Sequence, residues 1–325
     1  MLVRSIGDFN AHDGSYSLQM TFREEWNDPR LVYSGRAPDE FISITNPGLI
    51  WTPDLFFSNA MKGFKHKILT DNDMIRIFPN GNCLYSTHVS LRLRCTMDLT
   101  SFPVDVQTCD IKIASYAYTE DDLQLRWKIE TPIQLIPKLE VPGFVVSKYE
   151  TGTMPSWTTT GSYGSLIASF TFRRDVNSYW ITIYVLLILL VILSYLPFWL
   201  DDKGLRYLIS VIVFMTTLLG VVLLNESIPQ TSYAKAIDIW NGICLSFTSA
   251  SIFLLFIIDQ CCQADVEEEK LEDFESAMSE WIFVPKPRDE TFCLTVSSCQ
   301  RMVRIVFPAS FAIISVSYFL VYFMR

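Results

Sequence analysis

The chain has 325 residues, half of them hydrophobic, and a positive mean hydropathy that an ordinary soluble domain seldom reaches. That length and composition suggest two domains, one of them in lipid. The net charge of −9 and the acidic pI leave no basic surface to hold a phosphate backbone, which argues against a nucleic-acid partner.

Residues 1 to 177 read as β structure. No apolar stretch with basic flanks precedes residue 20, so no secretory signal is visible. A disulfide domain outside the cell needs one, and the N-terminus is therefore expected to be incomplete. In Tyr16 to Arg23, Leu18, Met20 and Phe22 alternate with Gln19, Thr21 and Arg23, the pattern of a strand with one dry face. Thr21 and Arg23 are expected to face outward together. Pro79-Asn80-Gly81-Asn82 joins Met74 to Phe78 and Cys83 to Arg94 as a hairpin would, with Leu84, Ser86 and His88 on one face of the second run. Further runs at Ile111 to Tyr118, Phe144 to Ser147 and Ser165 to Phe172 end in turn residues. Many short strands at this spacing predict an all-β, immunoglobulin-like sandwich.

Within this region lies Cys95-Thr-Met-Asp-Leu-Thr-Ser-Phe-Pro-Val-Asp-Val-Gln-Thr-Cys109, with Pro103 forcing a turn midway. A disulfide here would close a small loop worth roughly 3 kcal/mol in the chain-entropy picture. Two readings stand side by side: a plain staple in a secreted β domain, or a foot by which that domain touches a membrane domain. Cys83, Cys244, Cys261, Cys262, Cys293 and Cys299 are expected to be reduced or buried.

Apolar segments at about Tyr179 to Leu200, Leu205 to Leu224, Tyr233 to Ile258 and Met302 to Met324 are each long enough to cross ~30 Å of hydrocarbon. Short linkers join the first three as hairpins, and residues 178 to 325 thus predict a four-helix transmembrane domain. An even number of spans returns the C-terminus to the outside, beside the sandwich. Residues 263 to 300 form an acidic intracellular loop expected to begin as a helix. Its few basic residues give the positive-inside rule little support.

An enzyme needs a nucleophile, an acid/base pair, a metal cluster or a phosphate loop. His12, His66 and His88 do not fall at metal-ligand spacing, and no GxGxxG, Walker or HExxH pattern occurs. Catalytic residues, metal and cofactors are accordingly not expected.

Several motifs occur in order: Trp26-Asn-Asp-Pro-Arg-Leu31, Trp51-Thr-Pro-Asp-Leu-Phe-Phe57, Asn80-Gly-Asn-Cys-Leu-Tyr-Ser86, the Cys95 to Cys109 loop with Phe102-Pro103-Val104-Asp105, Ser115-Tyr-Ala-Tyr118 and Ser232-Tyr-Ala-Lys-Ala-Ile-Asp-Ile-Trp240. With them the chain resembles the Cys-loop pentameric ligand-gated ion channels, most closely the inhibitory branch that includes glycine receptors and invertebrate glutamate-gated chloride channels. The resemblance implies five subunits, homo- or heteromeric, around a central pore in the plasma membrane, with N- and C-termini extracellular. A small-molecule agonist, an amino acid, an amine or another, would bind between neighbouring sandwiches. On the principal side the matching positions are Phe56, Phe57, Ser115, Tyr116, Thr160 and Tyr163, with Trp157 nearby. Clustered aromatic faces attract an ammonium, each contributing ~0.5–2 kcal/mol. On the complementary side they are Thr21, Arg23, Leu84 and Ser86, where Arg23 could clamp a carboxylate bidentately.

The chain also departs from its relatives. They carry a second cysteine pair in the hairpin around Thr160 to Ser165, and none stands here, so a looser flap is expected and the agonist stays open. The Pro-Ala that precedes the pore helix in chloride channels is Gly204-Leu205. An ungapped count makes Leu208, Ile212, Met215, Leu219, Val222 and Glu226 pore-facing, with Arg206 a basic ring near the inner mouth and Glu226 an acidic one outside. Periodicity alone offers a rival in which Ser210 and Thr217 meet the water. A ring of leucine, isoleucine and methionine would dewet and close strongly. The apolar face leaves two functional readings: a channel subunit with anion conduction slightly favoured, or an accessory subunit that binds ligand but conducts poorly alone. For coupling, Phe102, Pro103 and Asp105 are expected to rest on the linker Ser227 to Ser232, with Arg174 paired to an acid of the β domain.

Overall fold

The structure, a computed structural model, describes residues 1–35, 37, 40–279 and 291–323, and of Ser227, 261–279 and 291–300 the backbone alone. The chain divides into two compact units. One comprises Met1–Asp98 with Asp105–Asp175, the other Leu99–Val104 with the chain from Val176 onward.

The first unit is a β sandwich. One sheet runs Gln134–Leu135, Leu2–Asn10, Ser15–Asn27, Asn82–Arg94, Asp73–Ile77 and Ile42–Ile44, with Ala60–Lys65 also paired to Asn82–Arg94. The other runs Phe144–Thr153, Ser165–Arg174, Val106–Ser115 and Leu55–Phe57. The alternation read in the second strand puts Tyr16, Leu18, Met20 and Phe22 in the core, together with Ile111, Ile113, Phe170 and Phe172 from the opposite sheet. Each such side chain contributes about 1.5–3 kcal/mol by leaving water. The Pro79–Asn82 turn requires glycine: Gly81 has φ +80°, and a Cβ there would sit 2.7 Å from the Asp28 carbonyl oxygen.

The expected outward face of this sheet needs correction at two positions. In register, Thr21 opposes His88, Arg23 opposes Ser86 and Glu25 opposes Leu84, so these residues share a face. Arg23 is exposed and Leu84 half-buried, but Thr21 and Ser86 are buried. Arg4, at a register irregularity of the neighbouring strand, lies across Thr21 and donates from Nε to its hydroxyl at 2.8 Å. Ser86 sits on an interior strand, flanked by Arg23 on one side and Met74 on the other.

The second unit holds four helical segments long and apolar enough to cross a membrane: Asn177–Trp199, Lys203–Glu226, Ala236–Gln260 and Arg301–Phe323. The first contains a π-helical turn at Trp180–Val185 and ends as a 3-10 turn at Leu196–Trp199. Asp202 caps the second helix, Lys203–Ser227, its Oδ1 accepting from Gly204 N at 2.9 Å. The third helix continues past its apolar part to Ser279, so the acidic stretch does begin helically. The fourth runs Thr291–Phe323; residues 280–290 between them lie outside the described residues. Tyr184, Trp240, Tyr318 and Phe319 pack ring on ring, with the Tyr184 and Tyr318 hydroxyls 3.1 Å apart.

Leu99–Val104, the tip of the loop between Cys95 and Cys109, belongs to this second unit. The first N–H groups of a helix have no intrahelical partner. Here Ala236 N donates to Thr100 O at 2.9 Å and Ile237 N to Phe102 O at 3.2 Å. Leu99 N donates to the Tyr233 hydroxyl at 2.9 Å, and Phe102 packs edge-on against Tyr179. These bonds lie beyond the expected Ser227–Ser232 seat, because the start of the third helix supplies the unpaired donors.

Candidate functional site

The principal-side residues come from three segments of the sandwich. Leu55–Phe57 pairs with the end of Val106–Ser115, placing Phe56 opposite Ala114 and Leu55 opposite Ser115. Successive strand residues point to opposite faces. Phe56 therefore turns out and meets Tyr116 edge to face at 5.6 Å, whereas Phe57 turns in and packs on Phe22 at 5.3 Å. Phe57 is half-buried against the core, a correction to its assignment beside Phe56. Ser115 is also buried: its hydroxyl donates to Asp54 Oδ1 at 2.6 Å and accepts from Tyr118 N at 2.9 Å. Asp54 Oδ2 takes the Ala117 N–H at 2.6 Å, so one carboxylate ties down the segment that presents Tyr116, itself 78% exposed.

The third segment is the hairpin Ser156–Thr158 with Gly161–Tyr163. Its tip holds Gly161 at φ +143°, and the Thr160 hydroxyl lies 3.1 Å from the Tyr163 hydroxyl. Glu120 latches the returning strand, accepting from Ser162 Oγ at 3.1 Å and donating its own N–H to Ser162 O at 2.9 Å. At the base, Met154 N donates to Ser165 O at 2.9 Å, and the Ser165 hydroxyl donates to Met154 O. Trp157 is 79% exposed.

On the complementary side, the Arg23 guanidinium makes no hydrogen bond or ion pair among the described residues. Its neighbour Glu25 is already engaged by Lys128 Nζ at 2.8 Å. His88, across from Thr21, stacks on His66 at 4.0 Å, and His66 Nε2 meets Ser90 Oγ at 2.7 Å. Burial, followed by the nearby His66 and Arg4 charges, holds the His88 imidazole below its ordinary value. Behind Arg23, Glu24 points a buried, unpartnered Oε2 inward. Burial pushes its carboxyl up to about 7, with Lys65 lowering it and Asp54 raising it.

Cys95 and Cys109 are bridged, with their Cα atoms 5.2 Å apart, and Cys83 and Cys244 are free and buried. The side chains of Cys261, Cys262, Cys293 and Cys299 lie outside the described residues. After the loop tip, with Phe102 and Pro103, the chain re-enters the sandwich at Asp105. Arg174 grips that carboxylate through Nε at 2.6 Å and Nη2 at 2.9 Å, and Gln107 Nε2 donates to it at 2.6 Å. The Arg174 guanidinium also lies over the Phe144 ring at 4.4 Å.

On the second membrane-type helix, Leu208, Ile212, Met215, Leu219, Val222 and Glu226 are all left uncovered by the rest of the chain. Ser210 and Thr217 are buried instead, each donating its hydroxyl to the carbonyl one turn back, at 2.8 Å. Their burial within the bundle is contrary to the rotation that would turn them to water. Arg206 is corrected too. Rather than standing free as a basic ring, it is 6% exposed and paired to Asp259 of the third helix at 3.0 Å.

The sequence model described as "Neurotransmitter-gated ion-channel ligand binding domain" matches residues 1–176, and that described as "Neurotransmitter-gated ion-channel transmembrane region" matches residues 183–291. The chain belongs to the neurotransmitter-gated ion-channel family. A "Glutamate-gated chloride channel" of Drosophila melanogaster is 40% identical over 266 residues, 80% of this chain and 58% of that protein. The chain thus spans about three fifths of the length of that curated relative. The neurotransmitter-gated ion-channel family is one of multi-pass membrane proteins with an extracellular ligand-binding domain, not of enzymes.

Four residues of this family member escaped the sequence reading. Asp54 stands in the Trp51-Thr-Pro-Asp motif, and a carboxylate beside two aromatic residues was a usable signal. Tyr233 was within the quoted Ser232–Trp240 motif. Glu120 and Asp259 carried none, since their partners lie 42 and 53 residues away in the chain.

Proposed function

We propose that the chain is a subunit of a pentameric plasma-membrane channel, opened by a small agonist bound between adjacent sandwiches, with anion conduction favoured. The observation that carries this reading is the course of the Cys95–Cys109 loop. Its two ends are bridged in the sandwich core, and its tip hydrogen-bonds to the start of the third helix within the membrane-type unit. A loop so divided supports transmission of agonist binding to the helices by a shift between closed and open states.

The agonist would meet Phe56, Tyr116, Thr160 and Tyr163 of one subunit and Arg23 and Leu84 of the next, with Trp157 on the flap and Thr21, Ser86 and Ser115 supporting from behind. A free guanidinium opposite exposed aromatic rings suits an amino-acid zwitterion: the fork takes the carboxylate and the rings take the ammonium. The relative's printed name, a glutamate-gated chloride channel, favours the same ligand class and an anion. Two-electrode voltage clamp with a panel of amino acids and amines, followed by chloride and sodium substitution, tests this. An agonist-evoked current whose reversal follows chloride is expected; a current that follows sodium overturns the anion assignment, and silence toward the whole panel overturns the agonist class.

One observation favours a second reading. The uncovered positions Leu208, Ile212, Met215, Leu219 and Val222 are all apolar, Thr216 beside them turns its hydroxyl onto Ile212 O at 2.7 Å, and five-fold apolar rings dewet. An accessory subunit would give current only when a relative is co-expressed, whereas the principal reading predicts current from this chain alone.

A further inference from the structure

The geometry points to Asp259 as the positioning residue of the second helix: by capturing Arg206 inside the bundle, it sets which face of that helix meets the pore. The inference rests on the channel reading above for the word pore, and on the ion pair alone for the rotation. Arg206 Nη1 lies 3.0 Å from Asp259 Oδ1, and both side chains are less than a tenth exposed. The same guanidinium donates from Nε to Pro197 O at 3.3 Å, at the 3-10 end of the first span. One arginine therefore ties the second helix to both the third and the first.

The face that Arg206 marks continues along the helix. Ser210, Val213 and Thr217 follow it at intervals of four, three and four residues, and all are buried. At about 100° per residue these positions form one stripe. Two residues beyond Arg206, Leu208 lies about 200° away and begins the uncovered stripe, being 57% exposed. The hydroxyls of Ser210 and Thr217 bond to their own helix, so they are content in either a wet or a dry setting and do not choose between rotations. Leucine, isoleucine and methionine on the other stripe are equally at ease against neighbouring helices. The charge is what distinguishes the two faces. Turning the helix by half a revolution would break the pair and leave the buried Asp259 carboxylate without its cation, a costly arrangement near the end of a membrane span. A consequence follows for permeation: the five guanidiniums of a pentamer are neutralised within the bundle and do not form a fixed positive ring in the conduction path.

The test is cysteine labelling of the assembled full chain by a small thiosulfonate. Ser210→Cys and Ile212→Cys are each compared with the parent, which carries the native cysteines. In the parent background Ile212→Cys is expected to label at least tenfold faster than Ser210→Cys. Adding Asp259→Asn should reduce that preference to threefold or less, and Asp259→Glu should restore it. Equal labelling of the two positions in the parent, or an unchanged preference in Asp259→Asn, overturns the assignment. Should Asp259→Asn fail to assemble, the doubly neutral Arg206→Gln with Asp259→Asn is labelled instead. It lacks the orphaned charge, so recovered assembly with a weakened preference supports the pair, and an unchanged preference overturns it. Labelling is read by mass on purified protein as well as by block of current. A protein that labels selectly at Ile212→Cys yet passes no current would contradict the channel reading while upholding the helix rotation.

Discussion

Removing Asp105 should do more damage than its single carboxylate suggests. The side chain is 1% exposed, and it satisfies the Arg174 guanidinium twice and the Gln107 amide once. Asp105→Ala takes from Arg174, itself only 12% exposed, the carboxylate that its guanidinium grips twice, and breaking one half of a buried pair costs about 3–5 kcal/mol. Arg174→Gln alone leaves the still more deeply buried Asp105 carboxylate with Gln107 but no cation and should cost a similar amount. The double variant should recover part of the loss, giving an interaction term of roughly 2 kcal/mol or more in a double-mutant cycle. Thermal unfolding of the purified assembly, measured for all four proteins, gives the cycle. Agonist dose–response curves on the same set report coupling. A shift of about tenfold in half-maximal concentration, near 1.4 kcal/mol, is expected because Asp105 follows directly on the loop tip held to the third helix. An interaction term under about 0.5 kcal/mol with unmoved dose–response curves would refute the reasoning, for the pair would then behave like an exposed one.

Arg23→Gln should raise the agonist concentration needed by roughly 10- to 150-fold, the range for losing a charged hydrogen-bonded fork, while leaving thermal stability unchanged because the guanidinium has no partner among the described residues. Binding and melting measured together check both halves. Phe56→Ala and Phe57→Ala should separate in the opposite sense: Phe57→Ala chiefly lowers stability, by less than the about 3–5 kcal/mol of a fully buried phenylalanine, whereas Phe56→Ala chiefly weakens the agonist response. Glu24 predicts a pH dependence. Its folded value of about 7 lies above the ordinary 4.5, so the folded protein retains a proton that the unfolded chain releases. Stability should be full below about pH 4.5 and fall as pH rises toward 7, by about 3 kcal/mol at most. Melting temperatures at pH 5 and pH 8 should differ less in Glu24→Gln than in the parent; an equal difference in both would be contrary to it.

Much of the sandwich was legible because a strand's period of two exposes its dry face directly. Leu18, Met20 and Phe22 are buried as their alternation implies. What failed concerns neighbours that sequence does not supply. Thr21 alternates as an outward residue but lies under Arg4, which reaches it from a strand whose register slips locally. Phe56 and Phe57 are the same residue type side by side, and only the register with Ala114 and Ile113 tells which faces out. In the membrane-type unit the lengths of the spans were readable, the rotation of the second helix less so. Ser210 and Thr217 look polar in one dimension, yet each consumes its own hydrogen bond within the helix. Arg206 looked free because Asp259 is 53 residues away. The reach of the Cys95–Cys109 loop was open for a similar reason: whether it staples or connects depends on partners at Tyr233, Ala236 and Ile237.

The central claim is that an agonist lodged between neighbouring copies works helices through a bridged loop. Imaging the purified particle saturated with its agonist tests that most directly. Five copies around an axis, with ligand density flanked by Tyr116 and Tyr163 of one and Arg23 of the next, is the predicted result; a monomeric particle, or ligand held wholly within one copy, would contradict it.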